Sequence, residues 1–232
     1  MFAPRIKTAI SCLLTSLLLI FTLPAWGADN GKDEETIKNA TTVLQAMLDG
    51  KVVPSSLLVT ADCIIVLPGV KKFAVGVGGS GGRGAMTCRG GKNLSGNNWS
   101  APAMFTIGGA SAGAQIGGSS TDFVLLIMAP SAANKVLDGK TKVGSDITAA
   151  AGPSGATATG SVGGVDILTY GRAKGLFAGV SLNGASLEPD SSANQRLYDK
   201  TVSAREIVMD NAVKPTPAGQ SLVSLLGSKD WQ

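Results

Sequence analysis

The chain of 232 residues predicts an α+β fold: a glycine-rich antiparallel sheet curled into a sandwich or partly closed barrel, flanked by N- and C-terminal helices. Three observations carry this. Helical periodicity is confined to the two ends and one internal segment, and short apolar runs recur between residues 63 and 187. Many of the 31 glycines fall among those runs. Regularly spaced short strands with turn signals between them indicate a sandwich or barrel, and glycine inside a strand marks close backbone approach or sharp coiling.

The first element is an amphipathic helix over residues 33–49, with Ile37, Ala40, Val43, Leu44, Met47 and Leu48 on one face. Asp33 is placed to cap it and Gly50 to end it. A short helix follows Pro54. Strands are predicted at 63–67, 72–77, 85–89, 103–107, 114–117, 123–128, 146–151, 162–170 and 176–187. Ser80-Gly81-Gly82 reads as a hairpin turn with positive φ angles, and residues 131–137 as an inserted helix capped by Ser131. A short helix is expected at 190–198. Ser203 and Glu206 form a capping box opening a further helix. Thr216-Pro217 and Gly227 bracket the last one.

Residues 1–27 read as a secretory signal peptide: Arg5 and Lys7, an uncharged apolar run, then small residues before a cut after Gly27. The apolar run is about 15 residues, short for a membrane span. Export implies a periplasmic, envelope-associated or secreted protein. Residues 28–51 form the N-terminal helix, 52–210 the main domain and 211–232 a C-terminal helix and tail. Without Arg5 and Lys7 there remain 18 cations against 16 acids, a balance that does not indicate nucleic acid. Cys63 and Cys88 lie on predicted strands; an oxidising compartment favours a disulfide between them, and a buried pair of free thiols is the alternative.

Several motifs fail on context. Gly76-Val77-Gly78-Gly79-Ser80-Gly81 fits G-x-G-x-x-G, but no helix opens from it and no acid lies about 20 residues on. The bland reading is a glycine-rich hairpin. Gly109-Ala110-Ser111-Ala112-Gly113 fits the nucleophile-elbow pattern, yet the chain has no histidine to serve as base. It reads instead as a small-residue turn. Missing histidine also removes most transition-metal chemistry, and two cysteines alone make no zinc site. Asp62, Asp122, Asp146 and Asp166 have no distinctive catalytic context. The sequence therefore points to a binding or structural protein with no cofactor, no metal and no catalysis.

The charge pattern carries the candidate site. From Cys63 to Thr121 there are five cations, Lys71, Lys72, Arg83, Arg89 and Lys92, and no acid. One reading is a solvated sheet edge that resists aggregation. The other is a face that attracts phosphates or anionic lipid.

Taken together, Trp99-Ser100-Ala101-Pro102-Ala103, Gln115-Ile116-Gly117-Gly118-Ser119-Ser120-Thr121-Asp122, Ala149-Ala150-Ala151-Gly152-Pro153, the glycine- and leucine-rich block 175–182, Leu197-Tyr198 and the box at Ser203 resemble ordered motifs of the SYLF domain family. The resemblance runs from about residue 52 to 208. It implies a lipid-binding module. Eukaryotic members bind phosphoinositides and some bind actin, while secreted bacterial-type members resemble envelope lipid-binding proteins. The expected partner is an anionic phospholipid or membrane surface, with an envelope protein partner or self-assembly as the alternative.

Overall fold

The computed structural model describes residues 26–90, 94, 96–152, 164–173, 176–178, 182 and 184–228. Two helices come first, α1 (Trp26–Asp49) and α2 (Ser55–Thr60). Two long strands follow, β1 (Cys63–Cys88) and β2 (Ala103–Ile127), then helix α3 (Pro130–Asp138). The remaining strands are short: β3 (Thr141–Lys142), β4 (Ala149–Ala151), β5 (Ile167–Ala173), β6 (Leu176–Ala178) and β7 (Ser186–Pro189). Helices α4 (Ser191–Tyr198), α5 (Ala204–Val208) and α6 (Pro217–Leu226) close the described chain.

The expected fold class holds, with one change of scale. The three strands predicted between residues 63 and 89 are one strand of 26 residues, and those between 103 and 128 are one strand of 25. Fully extended, β1 would span about 85 Å at ~3.3 Å per residue. Its two ends instead meet, with the Cα atoms of Cys63 and Cys88 4.0 Å apart. The N-terminal half of β1 pairs with the C-terminal half of β2 (Cys63 with Ile127), and the C-terminal half with the start of β2 (Met86 with Ala103). The register shifts between Leu67 and Val70 and again between Val75 and Val77, and these irregularities bend the ribbon. Strand β5 flanks one half of β2 and β7 the other, so a single seven-stranded sheet curls into a half-barrel.

The predicted turn at Ser80-Gly81-Gly82 is a correction. These residues stay within β1, and none of the positive φ angles falls on them. Gly69, at φ 57°, supplies the left-handed residue at the first irregularity. Gly109 to Gly113 is likewise strand, not turn. Glycine serves close approach here: a Cβ on Gly84 would lie 1.9 Å from the Val66 carbonyl oxygen on the opposite half of β1.

Where helices cover both faces, over residues 63–67 of β1 and 123–127 of β2, the strands are apolar at every position. Ile64, Val66, Val124 and Leu126 face α1, α2, α4 and α6 in one cluster. Cys63, Ile65, Leu67, Phe123, Leu125 and Ile127 face α3 and α5 in the other. The α1 face predicted to be apolar is buried as expected, and Ala204, Ile207 and Val208 of the capping-box helix α5 pack into the second cluster. Asp33 does not cap α1, which begins seven residues earlier at Trp26. Nor does Ser131 cap α3, whose N-cap is Ala129 with Pro130 in the first turn. The first 25 residues lie outside the described chain, and the predicted cut after Gly27 falls within the bounds of α1. Among the described residues no helix is long and apolar enough to cross a membrane.

The close approach can be tested with a pair of substitutions. Gly84→Ala forces the halves of β1 apart and is expected to destabilise the fold by about 3 kcal/mol or more, in the range of overpacked cores. Gly31→Ala meets nothing within 4 Å on α1 and is expected to stabilise by up to about 1 kcal/mol through helix propensity. Urea unfolding of both variants checks the contrast, and equal effects would contradict it.

Candidate functional site

The five predicted cations take different structural roles. Arg83, near the end of β1, reaches out of the acid-free stretch to acids from distant segments. Its Nη2 lies 2.6 Å from Asp33 Oδ1 and 3.1 Å from Asp190 Oδ2. Asp33 is 0% exposed and also accepts from Arg196 Nε at 3.0 Å. Asp190 additionally caps α4, accepting from the Ala193 N–H at 3.0 Å and the Ser192 hydroxyl at 2.8 Å. The cluster ties α1, β1 and α4 together. Burial disfavours the charged form of Arg83, but its bonds to Asp33 and Asp190 outweigh this and raise its pKa. Burial also acts to raise Asp190, yet the Ala193 N–H, the Ser192 hydroxyl and the Arg83 charge hold its carboxyl below the usual range.

Arg89 serves α2. Its Nε donates to the Ala61 carbonyl at 3.0 Å and its Nη2 to the Val59 carbonyl at 2.8 Å, satisfying groups at the helix end. Its guanidinium carbon sits 4.6 Å from the centre of the Trp99 ring. Burial pulls its pKa down, against the attraction of Asp62. Lys92 lies outside the described residues.

Lys71 and Lys72 stand where the ribbon bends. Lys71 is exposed and makes no ion pair with any described residue, while Lys72 Nζ lies 5.9 Å over the Phe123 ring. Next to them Phe73 is 64% exposed, one of two exposed large apolar side chains among the described residues. The pairing register places Ser120 opposite Lys71 and Gly118 opposite Phe73. Strand alternation therefore puts Lys71, Phe73 and Ser120 on one face of the ribbon. Nothing in the sequence marked Phe73, because an apolar residue in a strand reads as core. The signal available was its place between two lysines and a run of glycine.

The resemblance motifs turn out to hold the fold. The Ser100 hydroxyl accepts from the Cys88 N–H at 3.1 Å, and the Thr87 hydroxyl donates to the Ser100 carbonyl at 2.8 Å. The Tyr198 hydroxyl donates to the Pro102 carbonyl at 2.5 Å. Asp122 accepts from the Gly69 N–H at 2.8 Å and pairs with Arg172 at 2.7 Å, fixing the first irregularity of β1. The Sγ atoms of Cys63 and Cys88 are 2.07 Å apart, as in a disulfide.

Comparison with known proteins gives the kinship. The family profile described as "Ysc84: Las17-binding protein actin regulator" matches residues 108–229, just over half of the chain. Protein YSC84 of Saccharomyces cerevisiae is 31% identical over 77% of this chain and 38% of its own length. The LAS seventeen-binding protein 3 of the same yeast is 30% identical over 77% of this chain and 39% of its own length. The SH3 domain-containing YSC84-like protein 1 of Xenopus laevis is 29% identical over 87% of this chain and 60% of its own length. The chain spans about half or less of the length of the yeast relatives.

These relatives overturn the predicted location. They are proteins of eukaryotes, named as SH3 domain-containing or Las17-binding, and such kinship does not fit export by a signal peptide to a periplasm or envelope. The leader pattern is a local apolar run, whereas the kinship covers most of the chain.

The ion cluster yields a prediction with a definite sign. Asp33→Ala leaves Arg196 without an ion pair among the described residues and removes one of the two carboxylates on Arg83, and is expected to cost about 3 kcal/mol, the low end for a broken buried pair because both arginines keep contact with water. Since the folded pKa of Asp190 is depressed, its stabilisation is full above the unfolded carboxylate value and is lost as pH falls through the folded one. Urea titrations between about pH 6 and 2 should show a shallower loss for Asp190→Asn than for the parent. Parallel curves would contradict this.

Proposed function

The chain belongs to the Ysc84 (SYLF) family, and from that premise we propose that it is a non-catalytic docking module that attaches reversibly to an anionic membrane surface. The observation that carries the reading is exposed Lys71 and Phe73 on one face of the ribbon's bend, with half-buried Lys72 between them on the other. An aromatic ring open to solvent beside two lysines suits the boundary between headgroups and acyl chains. Arg83 and Arg89, spent on internal acceptors, act in this reading as supports. Each lysine adds about 1 kcal/mol near an anionic bilayer, and partial burial of one phenylalanine adds about 2 kcal/mol. The sum, about 4 kcal/mol, corresponds to a dissociation constant near 1 mM. Attachment by one copy is weak, and linkage to further binding modules would strengthen it.

A second reading rests on the family description itself, which names Las17 binding and actin regulation. In that reading the chain contacts a protein partner, and the same exposed segment is available for the contact.

Co-sedimentation of the full chain with vesicles of phosphatidylcholine, with and without phosphatidylserine, tests the first reading. Binding is expected only to the anionic vesicles, and should fall sharply between about 0.1 and 1 M salt as the screening length drops from ~10 to ~3 Å. Lys71→Glu reverses one charge and should weaken binding about 30-fold. Phe73→Ser should weaken it by a similar factor without unfolding the chain. Absence of binding to either vesicle would leave the protein-partner reading standing alone.

A further inference from the structure

The long edge of the sheet is β1. Its other edges end in β3, β4 and β6, strands of two or three residues, too short to offer much to a passing chain. Strand β1 pairs with β2 alone, so alternate residues turn their N–H and C=O groups outward, away from the ladder. Where the ribbon closes, β1 is covered by its own other half: a Cβ on Gly82 would lie 2.9 Å from Val70 Cγ2, and one on Gly84 1.9 Å from the Val66 carbonyl oxygen. Beyond that crossing lie residues 71–75, in unbroken register from Lys71 opposite Ser120 to Val75 opposite Ile116, with an irregularity on either side. Among the described residues, no backbone hydrogen bond from outside the ribbon reaches this stretch.

Open backbone groups along a strand are a template for one more strand, and the side chains beside them decide which chain is admitted. Lys71 and Phe73 stand exposed on one face of the ribbon, and half-buried Lys72 lies on the other. Residues 63–121 hold no acid. A second copy pairing through the same edge would therefore bring lysines toward lysines, which is unfavourable between neighbouring strands. A strand carrying carboxylates does the reverse. In an antiparallel addition, residues directly opposite share a face. The matching segment then has an apolar residue opposite Phe73, followed by two consecutive acids opposite Lys72 and Lys71. We propose that the free edge of β1 at residues 71–75 binds an extended acidic peptide of a partner protein as an added strand, in the order apolar, acid, acid. The inference rests on the protein-partner reading above and gives that partner its chemistry.

The probe is acetyl-Thr-Thr-Val-Glu-Glu-Thr-amide, titrated into the ¹⁵N-labelled full chain and followed by NMR. The backbone amide signals of residues 71–75 should shift saturably by about 1 mM peptide. Alternate amides in that stretch, those facing outward, should gain protection from hydrogen exchange. Methylating alternate backbone nitrogens of the peptide gives two controls. Only the control that loses the N–H groups facing β1 should bind more weakly, by about tenfold or more. Lys71→Glu should weaken the unmodified peptide by a similar factor. If both methylated peptides bind as well as the parent peptide, a protein contact through charge survives and strand addition is refuted. If the peptide gives no saturable shift, the lysines serve only to keep the edge unpaired, and the protein-partner reading loses this surface together with the proposal. Vesicles containing phosphatidylserine that shift these amides when the peptide does not would assign the stretch to lipid alone and overturn the proposal.

Discussion

The meeting of the two ends of β1 constrains everything around it. A strand of 26 residues is longer than any compact domain of this size could hold straight. By doubling back, it lets one ribbon supply four strand positions, and the inner halves approach so closely that Gly84 sits against the Val66 carbonyl. The junction is fastened by covalent and backbone contacts at one level: Cys63 to Cys88, and the Arg89 N–H to the Asp62 carbonyl at 2.8 Å. Once the ribbon is curled, its two faces are separated into two cores. The helices then follow, α1, α2, α4 and α6 on one side, and α3 and α5 on the other.

Curling also decides the electrostatics. A stretch carrying five cations and no acid would repel itself when folded back. The fold brings in counter-charges from elsewhere in the chain: Asp33 from α1, Asp190 before α4, and helix carbonyls for Arg89. Of the four described cations Arg83 is neutralised in this way, and Arg89 is hydrogen-bonded to carbonyls. The lysines at the bend form no ion pair among the described residues. Asp122, the acid at this bend, is taken up instead by the Gly69 N–H and by Arg172.

What the sequence made legible follows from the range of its signals. Local signals read well. The apolar stripe of α1, the capping box of α5 and the proline and glycine around α6 each depend on residues within a few positions of one another. Glycine is ambiguous at this range, since it serves a turn and a tightly approached strand equally well, and so Ser80-Gly81-Gly82 and the run at Gly109 read as turns. Deciding between them requires the opposite half of β1. The partners of Arg83 lie 50 and 107 positions away in sequence, beyond any spacing argument. The role of Asp33 was hidden for the same reason, because a carboxylate near a helix start reads as a cap.

The same distinction of range separates the family motifs from the exposed pair Lys71 and Phe73. Trp99, Ser100, Pro102 and Asp122 each fix a point where the ribbon turns or its ends join. Their recurrence in order along the chain reports a shared architecture, which is why they identify kinship without identifying a ligand. Lys71 and Phe73 hold none of those joints. A phenylalanine gains nothing for folding by facing water, since its burial would contribute about 2 kcal/mol. Among the described residues nothing buries it, and it stays 64% exposed. A surface that supplies such cover, apolar beneath and anionic above, would satisfy Phe73 and Lys71 together, and that complementarity joins the architecture to docking.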